Sequence, residues 1–228
     1  MTLDILPAPS PNFNNRPDGC AIDMLVLHYT GMQSGPEALD RMCDEAAQVS
    51  AHYMVEEDGT IFQLVAEEKR AWHGGVSHWR GDSNINDRSI GIEIVNPGHE
   101  WGYRPFPDAQ INRVVQLCQA ILSRHPHIPP RNVIGHSDIA PARKQDPGEL
   151  FPWQHLAAHG IGLWPTDLST ATNEGEIDRL LSDFGYDPQE PQASLIAFYR
   201  HFQPDALQTP DLEKSRAILR ALLDLATK

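Results

Sequence analysis

The chain has 228 residues, a length that can hold one core of ordinary size and a small appendage. Its formal net charge is −13, which argues against a nucleic-acid groove because such a groove needs a basic stripe; we interpret the surplus as a solvated acidic surface. No apolar run approaches the roughly 20 residues of a membrane span.

The N-terminal residues 1–13 lack the basic start, the apolar stretch of about 7 to 15 residues and the small-residue cleavage site of a secretory signal. We therefore expect a cytoplasmic monomer, with the periplasm or cell envelope as the alternative address. The three cysteines, Cys20, Cys43 and Cys118, show no CxxC pairing. The last two fall on apolar faces of predicted helices, which indicates buried free thiols in a reducing compartment.

A strand, a helix and a hairpin are predicted in the first third of the chain. Residues 24–27 are an apolar run typical of a buried strand. Residues 34–37 form a capping box with proline in the first turn, which predicts a helix start. Residues 53–56 and 60–65 predict a hairpin that turns at an Asp-Gly pair.

The middle of the chain alternates between the two kinds of element. Residues 89–94 have isoleucines at every second position, so Glu93 is expected to face away from the core side. Residues 109–124 carry apolar positions at helical spacing, and prolines end this helix before the short strand 132–135. Strands interleaved with helices predict an α/β fold, with a single mixed sheet flanked by helices on both faces.

The composition changes after residue 165. Residues 166–173 are polar and predict a linker between a catalytic domain, residues 1–165, and a small C-terminal module of three helices, residues 174–228. The helical patterns lie around residues 174–184, 192–202 and 211–226. We refer to this module as the tail. Two roles are open for it: a substrate-binding appendage that is dispensable for the chemistry, or a buttress packed on the catalytic domain.

The segment GHSDIAPARKQDPG, from Gly135 to Gly148, contains the most informative cluster. His136 and Asp146 lie within it, and His28 ends the buried strand of residues 24–27. Two imidazoles and one carboxylate, with a position left for water, form the ligand pattern of a catalytic zinc. Strand ends are where α/β sheets place their chemistry. The alternative is that these histidines cap elements or fill the core, because the chain has 11 histidines.

Five segments carry a family resemblance through their order and spacing: VLHYTG from Val26, SAHYMVEEDGTIFQLV from Ser50, RAWHGGVSHWRG from Arg70, SIGIEIVNPG from Ser89 and GHSDIAPARKQDPGELFPW from Gly135. They resemble the zinc-dependent N-acetylmuramoyl-L-alanine amidases of the type 2 amidase family, over about residues 20–165. The tail also resembles, weakly, the three-helix peptidoglycan-binding module appended to some of these enzymes.

The resemblance implies one zinc ion held by His28, His136 and Asp146. Glu93 matches the family's acidic base, and Lys144 matches its oxyanion-stabilising lysine. Taken alone, the residues around Glu93 favour a surface carboxylate on a half-buried strand, and Lys144 is equally a solvated lysine that balances nearby acids.

The resemblance also implies the reaction, which is hydrolysis of the amide bond between N-acetylmuramic acid, or its 1,6-anhydro form, and L-alanine. Trp72 and His73 lie beside two glycines and predict a loop that lines this substrate. His52 is a rival metal ligand, although we interpret it as structural. The alternative function is a non-catalytic peptidoglycan-binding module or sensor. Whether the substrate is soluble muropeptide or polymeric peptidoglycan stays open.

Overall fold

A six-stranded mixed β-sheet organises the fold in the computed structural model, which describes residues 3–168 and 174–227. The strands are β1 (Ile5–Pro7), β2 (Phe13–Asn15), β3 (Met24–Tyr29), β4 (Tyr53–Val55), β5 (Ile61–Gln63), β6 (Lys69–Ala71), β7 (His78–Trp79), β8 (Asp82–Ser83), β9 (Ser89–Ile94) and β10 (Val133–Gly135). The order across the main sheet is β1-β5-β4-β9-β3-β10, and β2 with β6, and β7 with β8, form two small ribbons. Only the β4–β5 pair of the main sheet is antiparallel in the described residues, as the predicted hairpin requires.

Helices cover this sheet, so the predicted α/β class is confirmed. They are α1 (Gly35–Cys43), α2 (Gly98–Trp101), α3 (Asp108–Arg124), α4 (His136–Ile139), α5 (Trp153–Ala158), α6 (Ile177–Phe184), α7 (Pro191–Phe202) and α8 (Leu212–Leu225). The predicted cap of α1 is present, because the Ser34 side chain accepts the backbone N–H of Glu37 at 3.4 Å. No helix among the described residues is long and apolar enough to cross a membrane.

The two faces of the sheet are covered by different parts of the chain. On one face, Leu25 and Leu27 of β3 pack with the isoleucines of β9 and with the apolar stripe of α3. Since side chains alternate along a strand, Met24 and Val26 point to the other face. There they join a buried cluster with Phe184, Phe198 and Leu219 of the tail, together with other residues of α6, α7 and α8.

The tail therefore shares a hydrophobic core with the catalytic part of the chain. This packing supports the buttress alternative and leaves the predicted wall-binding role a prediction. Most of the predicted linker, residues 169–173, lies outside the described residues. The three cysteines are free; Cys118 is buried as expected, whereas Cys43 is only half-buried.

Several short elements were not predicted. They include the edge strand β1, the two ribbons, and the single-turn helices α2 and α4. Each has four residues or fewer, so none is long enough to show a periodic pattern of apolar residues in the sequence.

Candidate metal and active site

Three functional side chains come together at the carboxyl ends of adjacent parallel strands. In the pairing of β3 with β9, His28 lies directly opposite Glu93. In the pairing of β3 with β10, Gly135 lies opposite Leu27, so His136 follows beside His28. This arrangement is the reason why residues far apart in sequence share one site.

His28, His136 and Asp146 form a buried triangle of potential ligand atoms. The two Nδ1 atoms are 2.9 Å apart, and Asp146 Oδ2 lies 3.1 Å from His28 Nδ1 and 3.0 Å from His136 Nδ1. The three residues are 1%, 3% and 5% exposed. Donors about 2.0 to 2.2 Å from one tetrahedral zinc would be separated by roughly 3.4 Å. The three separations here are a few tenths of an ångström shorter, so the atoms of this triangle are close enough to converge on one ion. Within residues 3–168 and 174–227 it is the one such convergence of His, Cys, Asp or Glu ligand atoms.

The hydrogen bonds of His136 fix which of its nitrogens can bind a metal. Its Nε2 lies 3.2 Å from the carbonyl oxygen of Gly74, and a carbonyl can only accept a hydrogen bond. Nε2 therefore carries the proton. The lone pair of the neutral ring is on Nδ1, which points into the triangle.

His28 is fixed in the same form by a chain of three hydrogen bonds. The Ser89 hydroxyl donates to the carbonyl of Ile85 at 2.7 Å, so its oxygen accepts from His73 Nε2 at 3.2 Å. His73 Nδ1 is then an acceptor, and it takes the Nε2 proton of His28 at 3.0 Å. The Nδ1 lone pair of His28 is left for a metal. Gly91 is required here, because a Cβ on it would lie 2.5 Å from the ring of His73.

Burial and neighbouring charge favour the neutral rings of His28 and His73. Burial, with the nearby His136, lowers the pKa of His28 to about 4. Burial and the neighbouring imidazoles hold the pKa of His73 well below 6.5. Both rings are therefore neutral near pH 7, as a nitrogen ligand and its hydrogen-bond acceptor must be.

The backbone around Asp146 joins this third candidate ligand to the second, His136. The Asp146 carbonyl accepts the backbone N–H of Ser137, next to His136, at 2.8 Å. Gly135 permits this close approach, because a Cβ there would lie 2.7 Å from Pro147 Cδ. Burial acts to raise the pKa of the Asp146 carboxyl, but interactions with His136 and His28 outweigh it and hold that pKa below its usual range.

Glu93 presents an unpaired carboxylate oxygen beside the triangle. Its side chain is 17% exposed, and Oε1 lies 4.0 Å from His28 Nδ1. Oε2 is buried and has no hydrogen-bond partner among the described residues. Burial and the charge of Asp146 raise the pKa of Glu93 well above 4.5, against the opposing effect of Lys144. A buried polar atom without a partner is unusual, and it indicates that the missing partner is a substrate or a water.

A cleft of about 640 Å³ opens over the triangle. It is lined by each of the predicted functional residues Glu93, Lys144, Trp72 and His73. Lys144 and Trp72 are half-buried, and the Trp72 indole N–H donates to Asn14 at 3.1 Å. His73 borders the cleft, but both its ring nitrogens are already hydrogen-bonded to protein groups. Its ring nitrogens therefore have no free position for a polar contact with substrate, and its predicted role in lining the substrate stays a prediction.

The rival ligand His52 is placed elsewhere. It is fully buried, its Nδ1 accepts the backbone N–H of Gly91 at 3.0 Å, and its Nε2 donates to the carbonyl of Lys69 at 3.0 Å. Both nitrogens thus hold backbone of the sheet, in agreement with the structural interpretation. The sequence did not identify Ser89 as part of the site, although the period of two in β9 placed it on the same face as Glu93.

Comparison with protein families matches residues 18–149 to the family Amidase_2, described as N-acetylmuramoyl-L-alanine amidase. The chain belongs to this family. The match extends over more than half of the sequence and confirms the assignment made from the five motifs.

Three relatives illustrate how far the similarity extends. The N-acetylmuramoyl-L-alanine amidase AmiD of Escherichia coli K12 is 38% identical over an alignment of 232 positions that covers 89% of this chain and 83% of AmiD. Its complex with anhydro-N-acetylmuramic acid-L-Ala-D-gamma-Glu-L-Lys superposes with a TM-score of 0.78 at 37% identity, covering 92% of this chain and 93% of that chain. AmpDh3 of Pseudomonas aeruginosa, in complex with anhydromuramic pentapeptide, gives a TM-score of 0.78 at 36% identity over 90% and 92% of the two chains.

The third relative matches a smaller part of this chain. The 1,6-anhydro-N-acetylmuramyl-L-alanine amidase AmpD of Haemophilus influenzae is 35% identical over an alignment of 171 positions that covers 68% of this chain and 91% of AmpD. The similarity to AmiD and AmpDh3 therefore extends over more of this chain than the similarity to AmpD does.

Proposed function

We propose that this amidase is zinc-dependent and hydrolyses the amide bond between N-acetylmuramic acid, or its 1,6-anhydro form, and L-alanine. The observation that carries the proposal is the buried triangle of His28, His136 and Asp146 beside the unpaired oxygen of Glu93, in one cleft. Two neutral imidazoles and one carboxylate suit zinc, and three protein ligands leave a position for water or substrate.

His28, His136 and Asp146 would hold the ion. When bound, zinc lowers the pKa of a water ligand from 15.7 to about 7 and polarises a carbonyl oxygen. Two neutral ligands and one carboxylate leave the site with net positive charge, which favours the oxyanion of the tetrahedral intermediate.

Glu93 moves the proton in this mechanism. Its carboxylate takes the proton of the attacking water and passes it to the nitrogen of L-alanine as the amide bond breaks. The water that donates this proton would supply the missing partner of Oε2. The raised pKa of Glu93 suits both steps, because a carboxyl group that binds its proton more tightly is a better base.

Lys144 stabilises the oxyanion. Lys144 lines the cleft, in the segment between His136 and Asp146, and its charge acts on Glu93. A cation fixed where negative charge develops lowers the barrier without reorganising during the reaction. Trp72 and Trp101 also line the cleft, and their ring faces offer stacking surfaces for a sugar or a peptide stem.

Isosteric substitution of the base tests the mechanism. Glu93→Gln should lower kcat by about 10²- to 10⁴-fold, because general acid–base catalysis contributes that much. Lys144→Ala should lower it about 10²- to 10³-fold, as for the loss of one oxyanion donor. Both variants should keep their zinc, since neither residue is a ligand. Glu100→Gln is the matched control, because Glu100 lines the same cleft but is exposed, and it should remain near wild-type activity.

Activity of Glu93→Gln within about threefold of wild type would exclude Glu93 as the base. A zinc-loaded wild-type protein that binds muropeptides without cleaving them would favour the sensor alternative. Mass spectrometry of the products from intact sacculi and from soluble anhydromuropeptides, on one preparation, would decide between polymeric and soluble substrates.

A further inference from the structure

A buried carboxylate connects the tail to the turn that carries a metal ligand. Asp138 lies two residues after His136 in α4 and is 0% exposed. Its Oδ2 accepts the backbone N–H of Gly135 at 2.7 Å. The other two donors come from the tail: Tyr186 O–H to Oδ1 at 2.7 Å and His201 Nδ1 to Oδ2 at 2.7 Å.

The tail residues are held firmly in place. Tyr186 and His201 are 1% and 3% exposed. The His201 ring stacks on Trp153, with 3.8 Å between ring centroids and 21° between planes. Tyr186 packs edge-on against Trp79, at 5.4 Å between centroids. Two rigid aromatic donors therefore converge on one carboxylate that no solvent reaches.

The turn they support has little stability of its own. Helix α4 has four residues, a length at which a helix does not form without tertiary support. Asp138 provides its N-terminal cap through the bond to Gly135 N–H. A buried charge without its full set of donors is strongly unfavourable, so loss of the tail bonds would make Asp138 seek other partners and release the cap.

We propose that Tyr186 and His201 are positioning residues for the metal site, which act through Asp138 on the placement of His136. The tail then completes the support of a ligand as well as covering an apolar face. This inference rests on the proposed function only in taking His28, His136 and Asp146 as the metal ligands.

A pair of tyrosines in the tail allows a matched test. Tyr186→Phe removes a hydroxyl bonded to Asp138. Tyr199→Phe, in α7, removes a buried hydroxyl that has no hydrogen-bond partner among the described residues. His201→Phe keeps an aromatic ring next to Trp153 and loses the Nδ1 donor. Each full-length variant is titrated with zinc against a chelator, well below its unfolding temperature.

Tyr186→Phe should weaken zinc binding by about 10-fold, within the range known for residues that orient a metal ligand, and the double variant with His201→Phe should weaken it further. Tyr199→Phe should bind zinc as wild type does. In the metal-free proteins, the Gly135 amide should exchange its hydrogen faster in Tyr186→Phe and at the wild-type rate in Tyr199→Phe.

Equal zinc affinity in Tyr186→Phe, Tyr199→Phe and wild type would overturn the proposal, even if thermal stability fell, because the tail would then be a buttress only. If His201→Phe does not fold, the tyrosine pair still decides the question. Weaker zinc binding in Tyr186→Phe, together with a wild-type protein that cleaves no muramyl amide, would sustain this inference and reject the proposed function.

Discussion

The two histidines proposed as metal ligands are chemically alike but are held by different regions of the molecule. His28 is fixed from within the catalytic part, by the relay through His73 and Ser89. The ring of His136 donates to the carbonyl of Gly74, and the residue lies on a short turn whose cap is bonded to the tail. The two histidines therefore depend on different stretches of sequence. A change in either region should weaken binding of the same metal ion, independently of the other region.

The largest effect is expected from removal of the tail after Leu168, which takes away the region that supports His136. Truncation would expose the face of Met24, Val26 and Ile134 that the tail covers. Burial of one large apolar side chain contributes about 1.5 to 3 kcal/mol, and the tail covers several such side chains of the catalytic part. Their combined contribution is comparable with a typical total stability of about 5 to 15 kcal/mol. We expect the truncated chain to lose cooperative thermal unfolding, as measured by circular dichroism. Cleavage of sacculi and cleavage of small muropeptides should be lost together.

That outcome would reject the first of the two roles that the sequence left open for the tail, a substrate-binding appendage that is dispensable for the chemistry. A truncated protein that unfolds cooperatively and still cleaves small muropeptides would instead show that the tail serves only large substrates. The similarity to AmpD covers only 68% of this chain, so the AmpD of Haemophilus influenzae is a natural comparison in the same assay.

A smaller effect is expected from a substitution in the relay of His73 and Ser89 that holds His28. His73→Ala removes the acceptor for the His28 Nε2 proton, so the ring loses both its orientation and its preferred tautomer. Zinc affinity, measured by chelator competition, should fall about 10- to 100-fold. His73→Asn should restore part of this loss, because an amide oxygen can accept the same proton. No difference between His73→Ala and His73→Asn would show that the ring only fills space.

The sequence predicted the parts of the site that have a local pattern, and it did not predict the contacts that depend on long-range packing. His28 and His136 were predictable as candidate ligands because each follows an apolar run, and Asp146 was predictable because it lies in one motif with His136. The strand of residues 89–94 was predictable because its apolar positions alternate. The bonds of Asp138 were not, since their donors lie 48 and 63 residues away and are brought close only by the packing of the tail. Long-range polar pairs leave no periodic signal in a single sequence.

The smallest effect on metal binding is expected from a substitution in a polar cluster at the rim of the sheet. This cluster serves as a reference for the two supports of the metal site, the His73 relay and the tail bonds to Asp138. Glu67 accepts hydrogen bonds from Tyr53, Arg124 and His125 at 2.6 to 2.8 Å, and its side chain is 13% exposed. Burial alone would raise the pKa of Glu67, but these three donors outweigh it and lower that pKa from 4.5 to about 2.

Glu67→Gln should therefore lower the free energy of unfolding at pH 7 by about 2 kcal/mol and leave zinc affinity unchanged. Because the folded-state pKa is depressed, this stabilisation is present above about pH 4.5 and is lost as the pH falls toward 2. Urea unfolding of both proteins at pH 7 and pH 3 measures it, and the difference between them should shrink at the lower pH. An equal difference at both pH values would mean that packing, and not the charge of Glu67, stabilises the cluster.

A change in zinc affinity in Glu67→Gln would mean that loss of stability alone weakens metal binding. The changes in zinc affinity assigned to His73 and to the tail would then need to exceed the change in Glu67→Gln.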